Sequence, residues 1–231
     1  MTEEVFPESW REGLYQAIHR RRDVRAQFRP GRVPEEVLAR VLTAAHHAPS
    51  VGFMQPWDFV VLRDLGVRRK VLEAFERAHA AEAEALSAGK REAYLKLKLE
   101  GILESALNLC VTCDRTRFGE TGLGRTAQPR MDLYSVVCAV QNLWLAARAE
   151  GMGVGWVSIL RPEDLKAALG IPEGIEVVAY LCMGPVSHFP EKPDLEVAGW
   201  QARLPLQGMI RVDRWDAPLD GQWPELARAL Q

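Results

Sequence analysis

A basic run with one acid inside it stands near the N-terminus of the 231-residue chain, in the segment HRRRDVRAQF from His19 to Phe28. Guanidinium groups bind phosphate oxygens in pairs, so two converging arginines would form a phosphate clamp. The alternative is that the cations complement the negative end of a helix dipole and otherwise face solvent. Asp23 either pairs with a neighbouring arginine or faces a ligand as an acid–base group whose protonation the arginines tune. The run is therefore a candidate anion site with one candidate proton-transfer group.

A second segment, APSVGFMQPW, combines polar groups with bulky apolar side chains. The Ser50 hydroxyl and the Gln55 amide stand beside Phe53, Met54 and Trp57. This mixture suits a heteroaromatic ring that has an apolar face and a polar edge. The alternative is a buried connection whose polar groups satisfy one another.

The glycine-rich segment EGMGVGWVSIL contains a G-x-G-x-G pattern between a helix and a strand. The dinucleotide fingerprint requires the reverse order, strand and then helix, so a Rossmann site is rejected. Glycines such as Gly155 instead let the backbone approach something flat. We expect Trp156 and Ser158 to point to opposite sides of a short strand over Val154–Ile159.

Other catalytic patterns receive little support from the sequence. Cys110 and Cys113 form a lone C-x-x-C inside an apolar run, and Cys138 and Cys182 stand alone, so buried thiols are favoured over a zinc site. His46-His47 lies at a helix end, where packing or capping is favoured over metal binding. The chain contains neither G-x-S-x-G nor a G-K-[ST] phosphate loop.

The elements that must position these residues alternate between helices and strands. Periodicity and turn residues predict helices over Glu8–Arg22, Pro34 to near Pro49, Asp132–Glu150 and Pro162–Leu169, and strands over Phe59–Leu62, Leu107–Cys113, Val154–Ile159 and Ile175–Met183. The charged stretch Gly66–Glu104 is either a solvated helical face or a helical excursion that covers a site. In a polar loop over Asp114–Arg130, three of the arginines face either a ligand or water, namely Arg115, Arg117 and Arg125. Few hairpin signals are present, which favours a layered α+β or α/β domain.

The bulk composition excludes several classes of protein. With 48% hydrophobic and 26% charged residues and a net charge of −2, nothing points to nucleic acid or an anionic membrane as a partner. The apolar stretch over Met131–Ala147 is too short and too polar for a membrane span. No secretory signal is visible at the N-terminus, so we expect a cytoplasmic protein with four reduced cysteines. We expect one domain over residues 1–231.

Four segments, in this order, resemble the nitroreductase-like flavoprotein family and, within it, its BluB-like subgroup: RRDVR, APSVGFMQPW, MDLYSVVCAVQNLWLAARAEGMGVGWVSI and KPDLEVAGWQARLPL. The resemblance covers roughly residues 14–206. It implies an α+β nitroreductase-like fold, with a central, mostly antiparallel sheet flanked by helices and an extended C-terminal arm over residues 185–231. It also implies that residues 66–104 form a lid over a bound flavin.

The resemblance further implies that FMN binds at a homodimer interface to which both subunits contribute. Arg21 and Arg25 would take the phosphate, and the loop from Ser50 to Trp57 would cradle the flavin. Ordinary relatives carry serine in place of Asp23, and this acid, together with Ser158, would be catalytic. The full set of implied cofactor-binding residues is Arg21, Arg22, Asp23, Val24, Arg25, Ser50, Gln55, Gly155 and Ser158.

The implied reaction consumes the flavin. Reduced FMN reacts with O2 as co-substrate and is fragmented to 5,6-dimethylbenzimidazole and erythrose 4-phosphate, and NAD(P)H or a separate flavin reductase supplies the electrons. Asp23 would relay protons, Ser158 would orient an oxygen or ring nitrogen, and a closed lid would exclude water. Three alternatives stay open: an NAD(P)H-dependent nitro- or quinone reductase, a cob(II)yrinic acid a,c-diamide reductase, and a flavin-storage protein without turnover.

Overall fold

The structure is a computed structural model that describes residues 5–119, 123–219 and 223–230. These residues form two compact units, one up to Glu191 and one from Lys192 onward. The organisation expected from the sequence, one domain with a lid over residues 66–104 and an arm over residues 185–231, stays a prediction.

The first unit is built on a four-stranded sheet with the order β1-β2-β4-β3, in which every neighbouring pair is antiparallel. The strands are β1 Trp57–Leu62, β2 Leu107–Cys113, β3 Met152–Trp156 and β4 Glu176–Pro185. The helices of this unit are α1 Glu8–Arg20, α2 Glu35–His46, α3 Leu65–Ala85, α4 Ala88–Leu95, α5 Met131–Ala149 and α6 Pro162–Leu169. Helices and an antiparallel sheet confirm the predicted α+β class.

Two hydrophobic clusters pack against the two faces of this sheet. β2 is buried along its whole length, and its side chains alternate between the faces because the period of a strand is two residues. Leu109 and Val111 join the cluster that contains α2 and α5, whereas Cys110 joins the cluster that contains α3 and α6. The first part of the charged stretch Gly66–Glu104 therefore contributes core residues as well as a solvated face.

Local signals explain which boundaries were predictable. Pro162 opens α6, and Gly170 ends it in the left-handed conformation with a φ of 66°, so the predicted bounds are confirmed. The predicted strand Val154–Ile159 was wrong at both ends, since β3 runs from Met152 to Trp156. Its pairing with β4 ends at Trp156 and Leu181, which leaves Ser158 in an irregular, exposed segment.

Helix α1 has an apolar face that the described residues leave exposed. None of its residues is buried, although Trp10, Leu14 and Ile18 recur at helical spacing. Trp10 is 66% exposed. The helix packs against α5 through its other face. An uncovered apolar stripe of this kind is typical of a protein–protein contact.

The second unit contains short helices where the sequence predicted an arm with little periodicity. These are α7 Asp194–Val197 and α8 Pro224–Ala229. Across the described residues of both units, no helix has the length and apolar character that crossing a bilayer requires. The four cysteines are free thiols, and Cys138 is the exposed one.

Candidate functional site

The arginine segment, Arg21–Arg25, is attached to the edge of the sheet beside β3. After α1 ends, Arg21 has an extended backbone and Asp23 forms a parallel bridge with Val154. The Val24 N–H donates to the Val154 carbonyl at 3.2 Å, and the Val24 side chain is fully buried. Backbone pairing and the burial of Val24 therefore fix the position of the backbone from which the charged side chains of the segment project.

Two glycines of β3 permit this attachment. A Cβ on Gly155 would lie 2.2 Å from the Val24 carbonyl oxygen, and a Cβ on Gly153 would lie 2.6 Å from Val24 Cγ2. Real Cβ atoms do not approach other atoms so closely, so both positions require glycine. The close approach expected from the sequence is made by the chain's own Val24. A contact between Gly155 and a ligand stays a prediction.

The arginines of the segment differ in what they contact. Arg22 donates to the carbonyls of His19 at 2.8 Å and of Arg21 at 2.7 Å, so it holds the chain itself. The Arg25 Nη2 lies 2.5 Å from Asp23 Oδ2, and its Nε is buried without an acceptor among the described residues. A buried donor of this kind costs free energy until an acceptor arrives. Arg25 therefore fits an anion such as a phosphate monoester.

Asp23 is held between Arg25 and β3. Its Oδ1 accepts the Trp156 N–H at 3.0 Å, and its side chain is 33% exposed. Burial raises the pKa of this carboxyl above its ordinary value, and the charge of Arg25, the Trp156 N–H and the charge of Arg21 oppose that shift in part. A carboxyl with a raised pKa that is still reachable from solvent is a candidate group for accepting and returning a proton.

The Ser50 loop, Ser50–Gln55, has an unusual backbone. Gly52, Phe53 and Gln55 have positive φ angles of 54°, 54° and 49°. Residues other than glycine in this region are strained, and such strain concentrates at functional sites. Phe53 is 78% exposed, whereas Met54 is buried. Of the two bulky apolar residues that the sequence singled out, Phe53 is therefore free to contact a ligand or a partner.

Hydrogen bonds from three elements hold the Ser50 loop. The Gln55 N–H donates to Ser50 Oγ at 3.0 Å, and the Val51 N–H donates to Ser135 Oγ of α5 at 3.0 Å. Arg117 donates through Nη1 to the Gln55 carbonyl at 2.8 Å, and its Nη2 lies 2.6 Å from Asp58. The loop is thus fixed by its own serine, by α5 and by an arginine of the loop over residues 114–130.

Arg117 is a supporting residue to which the sequence could not assign a role. The alternatives for the three loop arginines were a ligand or water, and the structure gives all three protein partners. Arg115 and Arg125 approach the fully buried Asp132 at 2.9 Å and 3.1 Å. The signal available from sequence was a cluster of arginines close to Asp114, but three of their carboxylate partners, Asp58, Asp132 and Glu176, lie in other elements.

The single chain does not bring the two groups of predicted site residues together. The Ser50 loop leads into β1 at one edge of the sheet, and the arginine segment pairs with β3 at the other edge. β2 and β4 lie between them, so the edges are about 14 Å apart. Gly155 and Ser158 lie with the arginine segment, and Ser158 follows two residues after Trp156. The described residues of one chain therefore hold these candidate site residues as two separate groups.

The chain belongs to the nitroreductase family, whose model matches residues 18–185. Members of this family are oxidoreductases. The chain is 45% identical to the 5,6-dimethylbenzimidazole synthase of Rhodospirillum rubrum, across 87% of this chain and 95% of that protein. It is 38% identical to the 5,6-dimethylbenzimidazole synthase of Rhodobacter capsulatus, across 87% and 97%. These matches confirm the family and the subgroup that the sequence motifs resemble.

A comparison with solved structures supports the nitroreductase-like fold. The crystal structure of iodotyrosine deiodinase bound to FMN and 3-iodo-L-tyrosine matches with a TM-score of 0.68, and covers 88% of this chain and 99% of that one. The sequences are 20% identical, so the likeness concerns the fold alone.

Proposed function

We propose that this chain is a 5,6-dimethylbenzimidazole synthase that uses O2 to fragment reduced FMN into 5,6-dimethylbenzimidazole and erythrose 4-phosphate. The similarity to the Rhodospirillum rubrum synthase over nearly the whole of both chains carries the proposal. The atoms balance when the pyrimidine ring of the flavin leaves as a third fragment with both oxygen atoms of O2. When bound, reduced FMN supplies the electrons that reduce O2 and, apart from the two oxygen atoms of O2, the atoms of the three fragments.

In this proposal the arginine segment binds the phosphate. Arg25 offers the buried Nε that meets no acceptor among the described residues, and Arg21 begins the extended backbone beside it. Arg22 and Val24 contribute by shaping the segment, because the Arg22 Nη1 and the Val24 N–H already bind protein carbonyls. Two arginine edges that converge on one anion are the usual way to recognise a phosphate monoester.

Asp23 and Ser158 are the proposed catalytic residues. Breaking a carbon–carbon bond of the ribityl chain requires proton transfers, and the raised pKa of the Asp23 carboxyl suits it to hold and release a proton there. The Ser158 hydroxyl is exposed beside the same strand end, where it is able to orient a ligand atom by hydrogen bonding. Gly155, Ser50 and Gln55 complete the proposed set of flavin contacts.

A homodimer would complete the site. The Ser50 loop and the arginine segment lie at opposite sheet edges of one protomer, so a second copy of the chain is needed to join a pair of half-sites around one flavin. The uncovered apolar face of α1 supports such an assembly, as do the exposed Tyr134 and Val137 on α5. FMN at the interface of two protomers is therefore part of the proposal.

The decisive experiment mixes the purified protein with anaerobically reduced FMN, admits air and measures 5,6-dimethylbenzimidazole by mass. We expect product with the wild type. If the flavin reoxidises intact and NAD(P)H then reduces an added nitro or quinone acceptor, the chain is a reductase. A protein that binds reduced FMN without consuming oxygen would instead be a storage protein.

The role of Asp23 is tested with Asp23→Asn, which we expect to bind FMN but to form no product. The matched control is Asp164→Asn, because Asp164 also pairs with an arginine, Arg77 at 3.3 Å, and its side chain is 31% exposed. The control should keep the wild-type rate. Normal product formation by Asp23→Asn would exclude this carboxyl from proton transfer.

A further inference from the structure

Trp144 of α5 lies against the arginine segment. Its side chain is 7% exposed and belongs to the cluster between α5 and the sheet. The guanidinium carbon of Arg21 lies 4.7 Å from the centroid of the Trp144 ring. A guanidinium group over an indole face at this distance is attracted by the negative charge of the ring face.

The same ring also contacts the residue that anchors Asp23. The ring centroids of Trp144 and Trp156 are 6.4 Å apart and their planes are tilted by 51°, a favourable arrangement for two aromatic rings. The Trp156 backbone N–H in turn donates to Asp23. Trp144 thus contacts the arginine segment directly at Arg21, and it contacts Trp156, whose backbone N–H binds Asp23.

The polar atom of the indole does not explain why this position holds tryptophan. Trp144 Nε1 is buried and has no hydrogen-bond acceptor among the described residues. A phenylalanine or a methionine would fill much of the same space without burying an unsatisfied donor. What the indole provides beyond these side chains is the ring face that binds cations best. The structure therefore favours a role for Trp144 towards Arg21 in addition to its role in the core.

We propose that Trp144 is a positioning residue that holds the Arg21 guanidinium in place for a phosphate, so that the site prefers FMN to riboflavin. The inference rests on the proposed function in one respect, namely that Arg21 is a phosphate ligand. A guanidinium drawn to a ring face by this attraction is restricted in where it points, so its position is set before a phosphate binds. Holding it before the ligand arrives also reduces the conformational entropy that binding must remove.

The experiment measures the dissociation constants of FMN and riboflavin for the wild type, Trp144→Met and Trp144→Phe, in the full-length protein. Methionine fills the space without an aromatic face, so we expect FMN binding to weaken about five- to thirtyfold while riboflavin binding is unchanged. Phenylalanine restores a ring face, and we expect it to recover most of the preference for FMN. Trp144→Leu is a second variant without a ring face in case the methionine variant does not fold.

Two controls separate positioning from general damage to the core. Leu143→Ala removes the adjacent, fully buried residue of the same cluster, and should lower the melting temperature without changing the ratio of the two dissociation constants. In an Arg21→Gln background, Trp144→Met should cause no further loss of FMN preference, because the group that it positions is absent.

The inference is overturned if Trp144→Met weakens both flavins equally, if Leu143→Ala changes their ratio to the same extent, or if the wild type does not prefer FMN. These outcomes are independent of product formation. A Trp144-dependent preference for FMN in a protein that makes no 5,6-dimethylbenzimidazole would refute the proposed reaction and leave this inference standing.

Discussion

The arginine segment and the Ser50 loop are held in place by different forces. Backbone pairing to Val154, burial of Val24 and the two glycines of β3 attach the arginine segment to the sheet. The Ser50 loop has a strained backbone that is held at its two ends, where Ser135 accepts a hydrogen bond from Val51 and Arg117 donates one to Gln55. The arginine segment is therefore coupled to the stability of the whole unit, whereas we expect the Ser50 loop to loosen while the sheet stays folded.

The largest expected effect is that of Gly155→Ala. The added Cβ would lie 2.2 Å from the Val24 carbonyl, which is a backbone atom, so the arginine segment must move. Overpacking of this kind costs about 1–3 kcal/mol or more, and FMN binding should be lost with it. Urea denaturation and FMN titration measure both effects.

The matched control for that change is Gly89→Ala. Gly89 lies in α4, and a Cβ there meets nothing within 4 Å. Alanine is favoured over glycine inside a helix, so the control should gain about 0.5–1 kcal/mol. If Gly155→Ala were as stable as this control, the attachment of the arginine segment would not depend on the close approach of Val24.

A smaller effect is expected at the Ser50 loop, from Arg117→Ala. The substitution removes the donor to the Gln55 and Trp57 carbonyls and the partner of Asp58. We expect a loss of about 1–2 kcal/mol in the free energy of unfolding. Hydrogen exchange should become faster in residues 50–55, whereas β3 keeps its protection.

Arg63→Ala is the control for Arg117→Ala, because both members of the Arg63–Glu35 ion pair are exposed. Such pairs contribute little, so stability should stay within about 0.5 kcal/mol of the wild type. Equal protection of the Ser50 loop in Arg117→Ala and the wild type would contradict the view that Arg117 holds it.

The smallest expected effect is on the pH dependence of the free energy of unfolding, which should differ in sign between Asp23 and Glu150. Because burial raises the pKa of Asp23, its contribution to stability is present below the unfolded-state pKa and is lost as the pH rises through the folded-state pKa. Arg40 lowers the pKa of Glu150, so the contribution of Glu150 is present above its unfolded-state pKa and is lost as the pH falls.

The measurement follows the free energy of unfolding of the wild type, Asp23→Asn and Glu150→Gln from about pH 3 to about pH 7. This interval begins roughly one unit below the ordinary pKa of a carboxyl group. The wild type should lose stability relative to Asp23→Asn as the pH rises, and gain stability relative to Glu150→Gln. Parallel curves for the two variants would remove the distinction between an acid in the arginine segment and an acid paired at the surface.

Sequence patterns located those elements whose signals are local. The apolar run Leu107–Cys113 and the helix Pro162–Leu169 have the predicted bounds, because a buried run and a proline–glycine frame specify them within a few residues. The end of β3 was predicted wrongly, since a strand ends where its partner stops pairing, and that partner is distant in the sequence. Ser158 consequently lies beyond the strand that was expected to orient it.

The sequence by itself determined the family, because four ordered motifs are properties of the chain, and through that resemblance it indicated the α+β class that periodicity had left open beside α/β. Only the tertiary structure decided how similar residues divide their roles: the Arg21 guanidinium lies over the Trp144 ring, Arg22 donates to carbonyls and Arg25 pairs with Asp23. It also decided that the arginine segment and the Ser50 loop lie at opposite edges of one sheet. The physical reason is that a guanidinium binds whichever face, carbonyl or carboxylate the fold brings within a few ångströms, and those partners come from distant segments.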